Sequence, residues 1–277
     1  MPNTLRKMLN RTLGPVGYEL SLKNEHTKLL TVHNRVVEKL GETVKDVQKL
    51  FSDLIFPDLP SSDRRNDLLG NLIGTPVCEA MYIVGYLQAA LSLPGDVCEF
   101  GVAQGATSAL LANEISNTQK RLWLFDSFKG LPKPTQKDSL INDIFSLGSI
   151  EKYEGTMACD VSQVSNRLKE IEFPQSRIMI VPGFIEETVK LANLPKEVCF
   201  AYVDFDFYEP IKTALMFLSS RLTIGGSVVV DDYGFFSTGA KTAVDEFLSK
   251  DVDSWEMTFP MRVGSLSTPF CRIRRRA

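Results

Sequence analysis

The chain has 277 residues, 44% apolar and 23% charged, enough length for a full core and an ordinary composition for a soluble globular protein. A formal charge of -3 excludes a bulk electrostatic affinity for nucleic acid, and the terminal Arg272, Arg274, Arg275 and Arg276 read as a solvated last strand. Cys78, Cys98, Cys159, Cys199 and Cys271 are odd in number and lack C-x-x-C spacing, which excludes a zinc or disulfide framework and suits free thiols in the cytoplasm.

Residues 1–75 read as a helical cap or lid, and residues 76–277 as the main domain. The opening "LRKMLNRTL" is a short basic amphipathic helix that docks on protein or makes weak contact with a membrane surface. In "VKDVQKLFSDLI", Val44, Val47, Leu50, Phe51, Leu54 and Ile55 recur at steps of three and four, predicting a helix with one packed face. An exposed helical N-terminus is compatible with a homodimer. "AMYIVGYLQAALSL" is broken by Gln88 and is too short to span a bilayer, and no signal-peptide core precedes it, so no transmembrane segment is expected.

From residue 76 helix and strand alternate. "DVCEFGV", "RLWLFDSF", "RIMIVPGF", "VCFAYVDFD" and "GSVVVDDYG" are near-continuous apolar strands, the pattern of a parallel sheet covered on both faces. "WEMTFPMRV" and "FCRIRRR", joined by "GSLSTP", predict a terminal hairpin. The expected fold is therefore α/β and Rossmann-like, with five parallel strands plus a C-terminal antiparallel hairpin. Residues 131–158 form a long segment with early prolines and late glycines, expected to be a mobile cover over a site.

Two constellations carry chemistry. In "EFGVAQGATSA", where the first strand turns into a helix, Gly101 and Gly105 would let the backbone approach a ligand. The spacing is not the G-x-G-x-x-G of dinucleotide binders. Asp126, at the end of the second strand, is placed to accept ribose hydroxyls, and together these features suggest an adenosine-containing cofactor. The second constellation is "YVDFDFYEP" with "DDYG". Asp204 and Asp206 share a strand face, and Asp231 and Asp232 end the next strand, about 4.8 Å away. Four carboxylates at one sheet edge call for a hard cation, Mg2+ by default; helix capping would account for one of them, Asp206 or Asp232. His26 and His33 both lie in the N-terminal segment, so a histidine base in the sheet domain is excluded.

"GDVCEFGVAQGATS", "LFDSFKGLP", "VPGFIEETV", "AYVDFDFYEP" and "GGSVVVDDYGFFSTGAKTAVDEF" resemble the macrocin O-methyltransferase family, in order from about Thr75 to Leu248. The resemblance implies a class I methyltransferase that uses S-adenosylmethionine and Mg2+ to methylate sugar hydroxyls. By position it implies metal ligands at Asp204, Asp231 and Asp232 and a general base at Asp206. It also implies cofactor contacts at Thr75, Glu99, Gly101, Gly105, Asp126 and Ser127. Phe205 stands where the family usually has glycine, and Ala103 and Gln104 replace an aromatic residue and an arginine. Three alternatives remain at this level. A metal-dependent glycosyltransferase could use "DFD" to hold a nucleotide sugar, an NAD-dependent enzyme could use Asp126, and a binding module would use neither.

Overall fold

The computed structural model describes residues 14–260 and 270–277, so the opening "LRKMLNRTL" and the turn "GSLSTP" lie outside the described residues. The chain begins with helix α1 (Gly14–Leu54), followed by α2 (Asp63–Gly70) and α3 (Val77–Ala90). The sheet domain then runs β1 (Asp96–Phe100), α4 (Ala106–Glu114), β2 (Leu122–Asp126), α5 (Val161–Glu170), β3 (Ile178–Pro182), α6 (Ile185–Thr188) and β4 (Val198–Val203). It closes with α7 (Tyr208–Ser219), β5 (Leu222–Val230), α8 (Thr238–Ser249), β6 (Trp255–Thr258) and β7 (Cys271–Arg275).

The seven strands order as β3-β2-β1-β4-β5-β7-β6. Neighbours from β3 to β5 are parallel, and β7 is antiparallel to both β5 and β6. Five parallel strands closed by an antiparallel hairpin match the sequence expectation. The apolar character explains the layers. Every residue of β4 is buried, because helices cover both faces of the sheet. One face packs on α1 to α5 through residues such as Phe51, Met81, Leu111 and Leu168. The other packs on α6 to α8 through Ile185, Ile211, Leu215 and Val244. No helix among the described residues is long and apolar enough to cross a membrane.

The N-terminal helices are fastened to one flank of the sheet. Val44 and Phe51 of α1 are buried in the core shared with α3, and Phe51 meets Tyr82 edge-on at 5.0 Å. α2 is anchored by Arg65, whose Nε and Nη2 donate to the Glu114 carboxylate at 2.8 and 2.6 Å with both side chains buried. Gln88 donates to the same carboxylate at 2.7 Å. Among the described residues of this segment, Ile73, Gly74 and Thr75 line the large cavity described below.

The bidentate geometry makes Arg65 the test of that fastening. Arg65→Met strands a buried carboxylate at Glu114 and should lower the unfolding free energy by about 3–5 kcal/mol, while the double variant Arg65→Met/Glu114→Leu should recover most of the loss. Urea denaturation of the three proteins measures this.

Candidate active site

The parallel strands end together, and the sheet order reverses between β1 and β4, which is where open α/β sheets bind ligands. A cavity of about 620 Å3 lies there. Thr75, Glu99, Gly101, Asp126 and Ser127 line one part of it, and Asp204, Asp206, Asp231 and Asp232 another. Of the residues expected from the sequence, Gly105 alone is missing from the wall.

The glycines serve the protein before any ligand. Gly101 has φ 90°, and a Cβ there would lie 1.8 Å from the Asp204 carbonyl oxygen. Only glycine lets the end of β1 pass this close to the end of β4. Gly105, at φ 77°, starts α4, and its missing side chain makes room for Val164 of α5. At both positions a side chain would meet the chain itself, and Gly101, unlike Gly105, also lines the cavity.

Asp126 also has a structural task. Its Oδ2 accepts the amides of Val102 and Ala103 at 2.7 and 2.9 Å, and its Oδ1 accepts the Phe128 amide at 2.6 Å. One carboxylate thus ties the loop after β1 to the loop after β2, with one acceptor position of Oδ1 left over. The Ser127 hydroxyl is taken up by the turn that follows, donating to the Gly130 carbonyl and accepting the Lys129 amide. Thr75 pairs with Thr107, Oγ1 to Oγ1, at 3.0 Å. Glu99 is buried and accepts the Ser108 hydroxyl; burial pushes its carboxyl up to about 8.

Strand geometry places the other four carboxylates. The Asp204 amide donates to the Phe100 carbonyl and the Asp231 amide to the Val203 carbonyl, so the ladder holds both residues one step past their strands. Asp206 and Asp232 sit in left-handed backbone at φ 61° and 54°, a strained conformation for residues with a side chain. Carboxylate oxygens of Asp204, Asp206 and Asp232 come within 4.8 Å of one another. Asp231 is held differently: its Oδ2 accepts the Tyr202 hydroxyl at 3.0 Å and its Oδ1 the Asp232 amide at 2.7 Å. The gathered trio therefore contains Asp206 in place of the expected Asp231.

Burial, and then neighbouring carboxylates, raise Asp204 and Asp206 well above the usual carboxylate range. The same causes push Asp232 up to about 10. No lysine, arginine or histidine is among the described residues lining the cavity. An all-oxygen, acidic donor set without a countercharge fits a hard divalent cation. Capping does not account for the cluster. The first amide of α7, at Tyr208, is satisfied by Asp138 Oδ1 at 2.8 Å, and α8 is capped by Ser237. Neither Asp206 nor Asp232 is needed for those tasks.

Two participants escape a reading of the sequence. Tyr202 bridges Asp204 and Asp231. Glu79, the one charged residue in α3, is buried, interacts with Asp231, and has an oxygen without a partner among the described residues. A lone acid in "VCEAMYIVGYLQAA" was the available signal. The segment 131–158 does border the cavity, through Leu131, Pro132, Ile144, Phe145, Met157 and Ala158. It has a small core of its own, where Tyr153 and Ile150 meet Phe207 and Phe236, and the Ile141 amide donates to the Phe236 carbonyl.

A seven-stranded sheet of this order, with acids at the C-terminal ends of β1 and β2 and a cavity at the switch point, defines the class I methyltransferase fold. A family model described as Macrocin-O-methyltransferase (TylF) matches residues 87–258, and the chain belongs to that family. Among curated relatives, the chain is 28% identical over 144 residues to the 8-demethyl-8-(2,3-dimethoxy-alpha-L-rhamnosyl)-tetracenomycin-C 4'-O-methyltransferase of Streptomyces olivaceus, covering 51% of this chain and 54% of that protein. It is 26% identical over 162 residues to the demethyldecarbamoylnovobiocin O-methyltransferase of Streptomyces niveus, covering 57% and 60%. The matches thus span little more than half the length of these relatives. The solved structure of the O-methyltransferase NovP superposes with a TM-score of 0.61 at 18% identity, over 86% of this chain and all of that one, which shows a shared fold. The glycosyltransferase alternative finds no support in these likenesses.

The raised acids give a pH signature. Glu99 binds its proton more tightly when folded, so its contribution to stability is full below about 4.5 and is lost as pH rises through about 8. Glu99→Gln carries no charge at any pH. Its melting temperature should therefore fall less steeply than that of the wild type between about pH 5 and about pH 8, as read by calorimetry.

Proposed function

We propose that the protein is an S-adenosylmethionine-dependent O-methyltransferase acting on a hydroxyl of a sugar in a glycan, a glycolipid or a glycosylated natural product. The observation that carries this reading is the meeting, in one cavity, of the Glu99 and Asp126 edge with four converging aspartates. Thr75, Glu99, Gly101, Asp126 and Ser127 form the cofactor side. Gly105 supports it from beneath through the start of α4. One related protein is named for 4'-O-methylation of a rhamnosyl-tetracenomycin, in keeping with such an acceptor.

S-Adenosylmethionine, when bound, supplies an electrophilic methyl group on a positively charged sulfur. A divalent ion, Mg2+ by default, supplies Lewis acidity that lowers the pKa of an acceptor hydroxyl. Asp204, Asp231 and Asp232 are the proposed ligands. Asp231 is oriented by Tyr202 and the Asp232 amide in the way ligating carboxylates are commonly held from behind. Asp206 is the proposed base. Burial among other acids raises its proton affinity, which suits a group that must take a hydroxyl proton. The walls at Ile144, Phe145 and Phe235 would exclude water and hold the acceptor in line, where most of the rate arises. Free cysteines and the acidic balance accord with a cytoplasmic enzyme that does not bind nucleic acid.

Titration calorimetry with S-adenosylhomocysteine and Mg2+ tests the reading. The wild type should bind both, and Asp126→Ala should lose the nucleoside while keeping Mg2+. Asp206→Asn should keep both ligands yet lower kcat about a hundredfold or more. Loss of Mg2+ binding in Asp206→Asn would make Asp206 a ligand instead, and a folded wild type that binds neither ligand would refute the reading.

A further inference from the structure

α1 is 41 residues and about 60 Å long, far longer than its seat on the body requires. From Leu30 to Phe51 its apolar positions keep a seven-residue register. Leu30, Val37, Val44 and Phe51 repeat at one position, and His33, Leu40 and Val47 repeat three residues later. The inner half of this seam is covered: Val44 and Phe51 are 1% and 0% exposed in the core with α3. The outer half is not, with Leu30 and Val37 46% and 53% exposed, flanked by exposed Leu29, Val36 and Leu40. A seven-residue apolar register is the pattern that seats one helix against another.

We propose that the outer seam of α1, residues 29–43, pairs with the same seam of a second copy of this chain in an antiparallel helix pair. The register is complementary to itself. Turning one helix about a twofold axis near Arg35 sets Leu30 on Leu40 and His33 on Val37, and each contact occurs twice, as an isologous interface requires. The flanking positions carry no charge: Leu29, Asn34, Val36, Gly41 and Thr43. A partner helix meets no ionic barrier there, and Gly41 permits close approach. Antiparallel pairing keeps the two bodies at opposite ends, because each body packs on its own helix from Val44 onward.

Two such faces bury about 1,200 Å2 in total, the lower bound of stable protein interfaces. The opposite face of the helix mixes Lys28, Arg35 and Lys39 with Glu38 and Glu42, without the basic excess that favours an anionic membrane. A second copy is therefore the occupant the seam fits.

Analytical ultracentrifugation from about 1 to about 100 µM, in the range where modest interfaces assemble, tests the pairing. The wild type should sediment as a dimer, and Leu30→Glu/Val37→Glu as a folded monomer with the circular dichroism spectrum of the wild type, because both side chains lie on the exposed half of α1. A monomeric wild type at the highest concentration would overturn the proposal. So would a dimer that survives the double substitution, or a monomer that instead co-sediments with vesicles of phosphatidylcholine and phosphatidylglycerol. S-Adenosylhomocysteine binding, measured on the same samples, is independent of the pairing and reports separately on the proposed activity.

Discussion

Concentrated negative charge where β4 and β5 stop is the constraint around which the rest of the site is arranged. Asp204, Asp206, Asp231 and Asp232 converge there, Glu79 approaches from α3, and no described basic side chain lines the cavity. Such an arrangement is costly in isolation, since burial raises the free energy of each ionised carboxylate and its neighbours raise it further. The fold tolerates it because the sheet ladder fixes Asp204 and Asp231, while Tyr202 and nearby amides satisfy Asp231. On the proposed reading, the same charge would favour both a cationic sulfur and a divalent metal in one cavity.

The fold was legible in the sequence to the extent that burial leaves a one-dimensional trace. β1 to β5 are covered on both faces, so they read as unbroken apolar runs, and the closing hairpin announced itself by lacking an intervening helix. The paired aspartates were legible because side chains two apart on a strand share a face. The site residues that could not be read depend on contacts distant in sequence. Nothing around Gly101 says that it rests on the carbonyl of Asp204, more than a hundred residues away. Nothing around Asp126 says that it holds the amides of Val102 and Ala103. Its acidic character is the same whether it faces a ribose or a loop.

The N-terminal segment shows the limit from another side. Helical periodicity revealed the packed stripe at Val44, Val47 and Phe51, but periodicity does not say which neighbour the stripe meets. Packing turned α1 toward α3 and the Arg65–Glu114 pair fixed α2 beside it, leaving the cavity bordered by residues 131–158. That segment, expected to be a loose cover, has an aromatic anchor of its own at Tyr153 and Phe236.

Asp138 joins that segment to the chemistry in a way that constrains how such proteins can be altered. It lies within the segment that borders the cavity, and its carboxylate receives the first amide of α7, two residues past Asp206. Its other oxygen gathers Thr135 within the segment. The border and the aspartate turn therefore share one hydrogen-bonded joint. A segment grafted from a relative to admit a different acceptor would have to bring an equivalent acid to the same point. Without it, the graft would change the shape of the acceptor space and release the turn that aims Asp206. The shape of the cavity border and the position of Asp206 are mechanically linked here, and redesign must treat residues 135–138 and 206–208 as a single part.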